Sequence, residues 1–181
     1  VQLFGKSERY WCPMMSGGGV RRLLEGEPAL RQDPRFSLYP QWMQQQVRNP
    51  QGGGAPGGGL DSPGNNQMLM DIYKAGGKVV AGTDTPNAFN LHGELNAYVN
   101  AGMTPYQALR AATVTPAEAL NLDAGSIAAG KLADIVLVEG NPLERIGDAL
   151  KVRRVMANGR MHDVNELVKG AATPPTTAAR P

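Results

Sequence analysis

A short apolar segment that runs directly into an acid constrains this chain more than any other feature. Residues 79–83 read Val-Val-Ala-Gly-Thr, Asp84 follows at once, and helical sequence comes next. The apolar run predicts a buried strand. In a barrel of alternating strands and helices, the residue at the C-terminal end of a strand lies at the mouth, where the chemistry takes place. Asp84 is therefore a candidate metal ligand or general base.

The local pattern leaves other interpretations open. An aspartate that leaves a strand also forms Asx turns and caps helices. In a catalytic role, its carboxylate would accept a proton from a metal-acidified water and return it to a leaving amine or alkoxide. His92 lies at the start of the next predicted helix, where it either lines a pocket at the mouth or bonds to the helix backbone. The pattern assigns Glu94 to the solvated first turn, where the helix dipole favours an acid.

Helices are predicted on both sides of this strand. Gly76-Gly77 is typical of a helix end, and Thr104 with Pro105 and Gln107 is typical of a capping box. Thr115-Pro116 predicts a second cap of the same kind. The apolar stripes that define the two longer helices are Met68, Leu69, Ile72 and Tyr73 before the strand, and Leu91, Leu95 and Val99 after it.

The hydrophobic period changes from helix to strand after Asn121. Residues 133–138 predict a strand, and 152–157 with 160–163 predict a hairpin. The Asn158-Gly159 pair between them is the strongest short hairpin signal that a sequence offers. This part is expected to be a portion of a small antiparallel sandwich, separate from the parallel β/α array before it.

These patterns predict an α/β organisation in three parts. Residues 1–122 would hold the last strands and helices of the array, beginning with the apolar run 10–15 and interrupted by a flexible Gly/Pro loop at 51–64. Residues 123–168 would form the sandwich portion. Residues 169–181, rich in Ala, Thr and Pro, are expected to be a disordered tail.

Composition excludes several classes of function. The net charge of the 181 residues is +2 and no Lys/Arg stripe forms, which argues against nucleic acid. No apolar run approaches ~18 residues, which argues against a membrane span. The single Cys12 excludes an internal disulfide and a Cys-based zinc site. A chain that begins at Val1 is expected to lack its true N-terminus, so the compartment stays open between cytoplasm and periplasm or secretion.

The order of motifs from about residue 65 to 165 closely resembles the metal-dependent amidohydrolase superfamily, in its imidazolonepropionase and Xaa-Pro dipeptidase-like branch. Residues 79–84 resemble the eighth barrel strand of that family, and the start of the chain more weakly resembles its sixth helix and seventh strand. The further segments that carry the resemblance are His92-Gly93-Glu94-Leu95, residues 100–105, Ala111-Ala112-Thr113, Thr115-Pro116-Ala117, residues 125–127 and 130–136, Asn141-Pro142-Leu143 and residues 155–160.

The resemblance implies the C-terminal part of a (β/α)8 TIM-like metallo-hydrolase barrel, plus part of a small composite β-sandwich. It implies that Asp84 binds one of one or two divalent metals, often zinc, and shuttles protons. It also suggests that His92 lies near the substrate pocket. The family's other ligands are a His-x-His pair, a Lys or Glu and two more histidines, and these would lie before Val1.

Three functions follow from this resemblance. The first is a hydrolase of C–N bonds in amides, cyclic amides or dipeptides, present here as a C-terminal fragment that is inactive alone. The second is a non-catalytic module that completes a barrel supplied by another chain, and the third is a degenerate relative that only binds. The expected partners are a small-molecule or peptide-like substrate and the N-terminal remainder of the barrel, while homo-oligomer formation is left open.

Overall fold

A computed structural model describes residues 7–15, 24–35, 41, 44–45, 62–83 and 88–172. Strand β1 (Tyr10–Trp11) and strand β2 (Lys78–Val79) pair in parallel, with Tyr10 opposite Lys78 and Trp11 opposite Val79. A short 3-10 helix (Pro28–Gln32) and helix α1 (Pro63–Lys74) lie between them in the chain. The parallel pair confirms that the first part of the chain is a β/α array.

Helix α1 begins and ends at identifiable residues. The Ser62 side chain accepts a hydrogen bond from the backbone N–H of Asn65, and Pro63 takes the first helical position. Gly76 ends the helix with a φ of 90°, a left-handed conformation that suits glycine. Pro63 and Gly64, which the predicted flexible loop at 51–64 included, are thus helical, and residues 51–61 lie outside the described part of the chain.

Three helices follow β2: α2 (Ala88–Ala101), α3 (Pro105–Ala112) and α4 (Val114–Ala119). The predicted capping box of α3 is confirmed, because the Gln107 N–H donates to Thr104 Oγ1 at 3.2 Å and the Thr104 N–H donates to Gln107 Oε1 at 2.8 Å. The second cap, predicted at Thr115, is wrong. Helix α4 starts directly after α3, so Thr115 lies inside α4 and Thr113 joins the two helices.

The C-terminal part is an antiparallel sheet in the order β3-β4-β5, formed by Ile135–Val138, Val152–Ala157 and Arg160–Asp163. Asn158 and Gly159 have φ angles of 49° and 76°, as a tight hairpin turn requires, and the predicted hairpin is confirmed. Helix α5 (Val164–Ala172) follows, with the N–H of Asn165 bonded to Asp163 Oδ1. It runs through 169–172, which the sequence had assigned to the tail, and 173–181 are not described.

One hydrophobic core joins the two parts. A second 3-10 helix (Ile146–Leu150) precedes β4 and packs against α2. Its residues Ile146 and Ala149 belong to the same buried cluster as Leu69, Val79 and Tyr98 of the first part. Within the described residues, none of the helices has the length and apolar character that crossing a membrane would require.

Candidate functional site

The end of strand β2 is held by helices as well as by the neighbouring strand. The Val80 N–H donates to the Trp11 carbonyl at 2.9 Å, which continues the pairing with β1. The Ala81 N–H turns away and donates to the carbonyl of Ala111 in α3 at 2.7 Å. The regular strand, Lys78–Val79, is therefore shorter than the predicted 79–83, and the backbone that follows it is bonded to helix α3. Asp84 itself lies outside the described residues, in the gap 84–87.

Gly82 lies where the side chain of Cys12 packs against the strand end. A Cβ built on Gly82 would lie 2.4 Å from the Cys12 Sγ, far inside normal contact. Cys12 is partly buried. This close approach agrees with a packed thiol. It also explains why position 82 is a glycine, because a side chain there would collide with the sulfur.

His92 lies on the second turn of α2, and its ring is largely buried. Its Nδ1 has no hydrogen-bond partner within the part of the chain that the structure describes. Burial, and after it the positive charge of Arg35, lower the pKa of His92 from 6.5 to about 4. The imidazole is therefore neutral at neutral pH, and it can accept or donate a hydrogen bond or bind a metal.

Arg35 is a residue of this region that the sequence did not single out. Its guanidinium lies over the ring of Phe89 on the first turn of α2, with Cζ 5.3 Å from the ring centroid. It also donates to the carbonyl of Leu150 at 3.1 Å and pairs with Asp33 through two nitrogens. Arg35 thus joins the start of α2 to the second part of the chain. Only its contacts in three dimensions show this, because its neighbours in sequence give no signal.

Glu94 is buried, and the prediction that it is a solvated first-turn acid is wrong. Both Glu94 and Tyr98 are 0% exposed, and they lie one helical turn apart on α2. Burial, and then the proximity of the Glu94 carboxyl, raise the pKa of Tyr98, and the Tyr98 hydroxyl donates to the carbonyl of Val80 at 3.0 Å. The apolar stripe had been drawn through Leu91, Leu95 and Val99. Including Tyr98 would have rotated the predicted buried face toward Glu94.

The described residues do not by themselves form a metal site. Among them, no three His, Cys, Asp or Glu side chains lie close enough together to hold an ion. The two predicted site residues therefore have different outcomes. His92 lies in a largely buried position at the start of α2, and the placement of Asp84 remains a prediction.

Comparison with known proteins identifies the family. The sequence model of the amidohydrolase family matches residues 64–162. Adenine deaminase from Methanosphaera stadtmanae is 43% identical to the chain over 65 residues, which are 36% of this chain and 11% of that enzyme. The family match covers the strand end, helices α1 to α4 and the antiparallel sheet, so it includes every element described above except β1, the first 3-10 helix and α5.

Solved structures show the same fold. A Xaa-Pro dipeptidase with methionine bound in its active site has a TM-score of 0.60 at 24% identity, with 89% of this chain and 36% of that chain covered. Bottromycin amidohydrolase has a TM-score of 0.58 at 20% identity, with 91% and 41% covered. The chain thus spans well under half of these relatives and forms part of a barrel, not a closed one. With the family match over more than half of its length, the chain belongs to the amidohydrolase family.

Proposed function

We propose that this chain is the C-terminal portion of a metal-dependent hydrolase that cleaves C–N bonds through a metal-activated water. The observation that carries the proposal is the family match over residues 64–162, which includes the strand end and all of helix α2. In the sequence, Asp84 lies three residues after Ala81. An extended chain of three residues covers about 10 Å at most.

In this proposal Asp84 is both a metal ligand and the proton carrier. A bound divalent metal, with zinc the expected ion, would supply an acidified water. Asp84 would help to hold that metal, and its carboxylate would accept a proton and return it to the departing nitrogen. His92 would line the substrate pocket as a neutral group, since its pKa of about 4 keeps it uncharged at neutral pH. The remaining ligands would come from the upstream strands of the barrel.

Exposed apolar surface supports the proposal that the chain is completed by further polypeptide. In the described residues, Ile127 is 83% exposed and Val136 is 55% exposed. Leu132 and Leu137, close to them in sequence, are about half exposed as well. Apolar side chains exposed to this degree are available for contact with further polypeptide. We infer that the upstream part of the barrel and its sandwich strands cover it, and that the 181 residues alone have little activity.

The experiment uses the longest polypeptide that contains this chain, loaded with zinc. Adenine, a Xaa-Pro dipeptide and a cyclic amide are offered in parallel, with release of ammonia or of amino acid as the readout. Asp84→Asn should abolish turnover of any accepted substrate while leaving the circular dichroism spectrum unchanged. Asp123→Asn is the matched control, because Asp123 is exposed. Turnover that survives in Asp84→Asn would exclude the assigned role, and turnover by residues 1–181 alone would exclude the fragment proposal.

A further inference from the structure

An open pocket lies between the first 3-10 helix, the start of strand β4 and helix α5. Its volume is about 250 Å³, which equals about eight water molecules at ~30 Å³ each. Pockets for drug-sized ligands measure about 300–1,000 Å³, so this pocket suits a smaller molecule. Its described lining includes no residue of strand β2 or helix α2.

The apolar part of the lining comes from all three walls. Four aliphatic side chains contribute to it: Leu30 of the 3-10 helix, Val152 of β4, and Val164 and Val168 of α5. Val164 and Val168 are one helical turn apart, so they lie on the same face of α5. The Arg35 guanidinium donates to the carbonyl of Leu150 at 3.1 Å, which ties the first wall to the second. The pocket therefore offers an apolar surface to one aliphatic group.

Two ion pairs in the lining cancel their own charges. Arg35 binds both carboxylate oxygens of Asp33, with Nε 2.8 Å from Oδ1. Arg153 binds the carboxylate of Glu139 through Nε at 2.8 Å and through a second nitrogen. These four side chains shape the rim of the pocket, but they add no net charge to it.

The remaining charges of the lining are those of Lys151 and Glu27. The Lys151 ammonium lies 2.9 Å from Asp148 Oδ1, and Arg145 lies 2.6 Å from the same oxygen, so two cations share one carboxylate. Glu27 makes no ion pair with any residue in the ranges 24–35, 62–83 and 88–172. Asp148, and after it Glu27, raise the pKa of Arg145, which places Glu27 close to this group. The lining thus presents a carboxylate and a surplus ammonium charge beside apolar surface.

We propose that this pocket binds a zwitterionic α-amino acid with an aliphatic side chain. The ammonium group of the amino acid donates to Glu27, and its carboxylate accepts from Lys151. The aliphatic side chain packs against Val152, Val164 and Val168, where it leaves water. The inference does not rest on the proposed function, because no residue assigned to the hydrolytic reaction lines this pocket.

The test uses the longest polypeptide that contains this chain, with its valine methyl groups labelled for NMR. Addition of L-leucine should shift the methyl signals of Val164 and Val168. Two analogues of leucine each lack one charge: 4-methylpentanoate has no ammonium group, and isopentylamine has no carboxylate. Each should bind at least about 10-fold more weakly than L-leucine, because a charge-assisted hydrogen bond is lost.

Variants of the lining test the same assignment from the protein side. Glu27→Gln should weaken the binding of L-leucine at least about 10-fold without changing the thermal unfolding midpoint. Glu144→Gln is the matched control, because Glu144 is exposed and does not line the pocket, and it should bind L-leucine as the wild type does. Val168→Phe, which fills the pocket, should abolish binding, and it provides a second test if Glu27→Gln does not fold.

Three results would overturn the inference. L-Leucine could leave the Val164 and Val168 signals unchanged, either analogue could bind as tightly as L-leucine, or Glu27→Gln and Glu144→Gln could bind it equally well. A shift confined to Val79 of β2 and Val99 of α2 would place the amino acid elsewhere in the protein, and it would overturn the inference in the same way.

Discussion

The contact between Gly82 and Cys12 gives a sharp prediction about the strand end. A Cβ at position 82 would lie 2.4 Å from the Cys12 Sγ but 3.9 Å from the Cys12 Cβ. The φ angle of Gly82 lies outside the left-handed region, so an alanine meets no backbone strain there. The sulfur atom is then the one obstacle to Gly82→Ala among the described neighbours, and removing it should remove the cost.

The size of the effect follows from these distances. Carbon and sulfur atoms pack no closer than about 3.5 Å, so the thiol must move by about 1 Å or leave its rotamer. Overpacking of this kind costs about 1–3 kcal/mol of unfolding free energy. In a Cys12→Ala background the nearest Cys12 atom is the Cβ, at an ordinary contact distance. There Gly82→Ala should cost less than about 0.5 kcal/mol, which gives a coupling of about 1–3 kcal/mol.

The assay is a double-mutant cycle. The wild type, Cys12→Ala, Gly82→Ala and the double variant are unfolded in urea, with tryptophan fluorescence, to which Trp11 beside Cys12 contributes, as the signal. The double variant should be less stable than Cys12→Ala by no more than about 0.5 kcal/mol. If the two losses simply add, the thiol is not what excludes a side chain at position 82, and the described packing of the strand end is refuted.

Two further predictions concern acid and charge. The pKa of His92 is about 4 when folded and 6.5 as a free group, so the unfolded state binds the extra proton and stability falls as the pH drops from 6.5 toward 4. The loss should reach about 2–3 kcal/mol at pH 4.5 relative to pH 7.5, and be absent in His92→Gln. Lys151 and Arg145 hold the pKa of the Asp148 carboxyl well below its usual range. The stability that the Asp148 ion pairs contribute is therefore complete at pH 7 and is lost only in strong acid. Asp148→Asn should therefore lower the unfolding midpoint at pH 7, whereas Asp123→Asn should not. A loss at pH 4.5 that persists in His92→Gln, or an equal effect of the two aspartate variants, would contradict these assignments.

The sequence predicted correctly those elements whose ends are fixed by residues next to them in the chain. The hairpin turn at Asn158 requires φ angles above zero, and the α3 capping box closes within four residues, so neighbours far along the chain are not needed. The same logic failed at Thr115, because α3 and α4 share Thr113 and leave no extended residue between them to form a cap. That junction depends on how the two helices meet.

The candidate site was harder to predict because its supports come from distant segments. The hydrophobic period predicted helix α2 correctly. It placed Glu94 on the solvent-facing side, because Tyr98 was not counted among the buried residues. Arg35 contacts Phe89 and Leu150, which lie 54 and 115 positions away, and no local pattern reports such a contact. Candidate site residues could thus be proposed from the sequence, whereas the distant residues that pack around them could not.

Gly82, at the end of strand β2, shows how a residue that the sequence leaves unexplained is explained by its neighbours in the structure. In general, a glycine lets a ligand or another side chain approach the backbone closely. The structure shows that the thiol of Cys12, the residue after strand β1, already occupies that space. On the other side, Tyr98 and the carbonyl of Ala111 bind the two preceding residues. The small residue at position 82 is therefore explained by packing against Cys12, and two helices hold the backbone of the two residues before it.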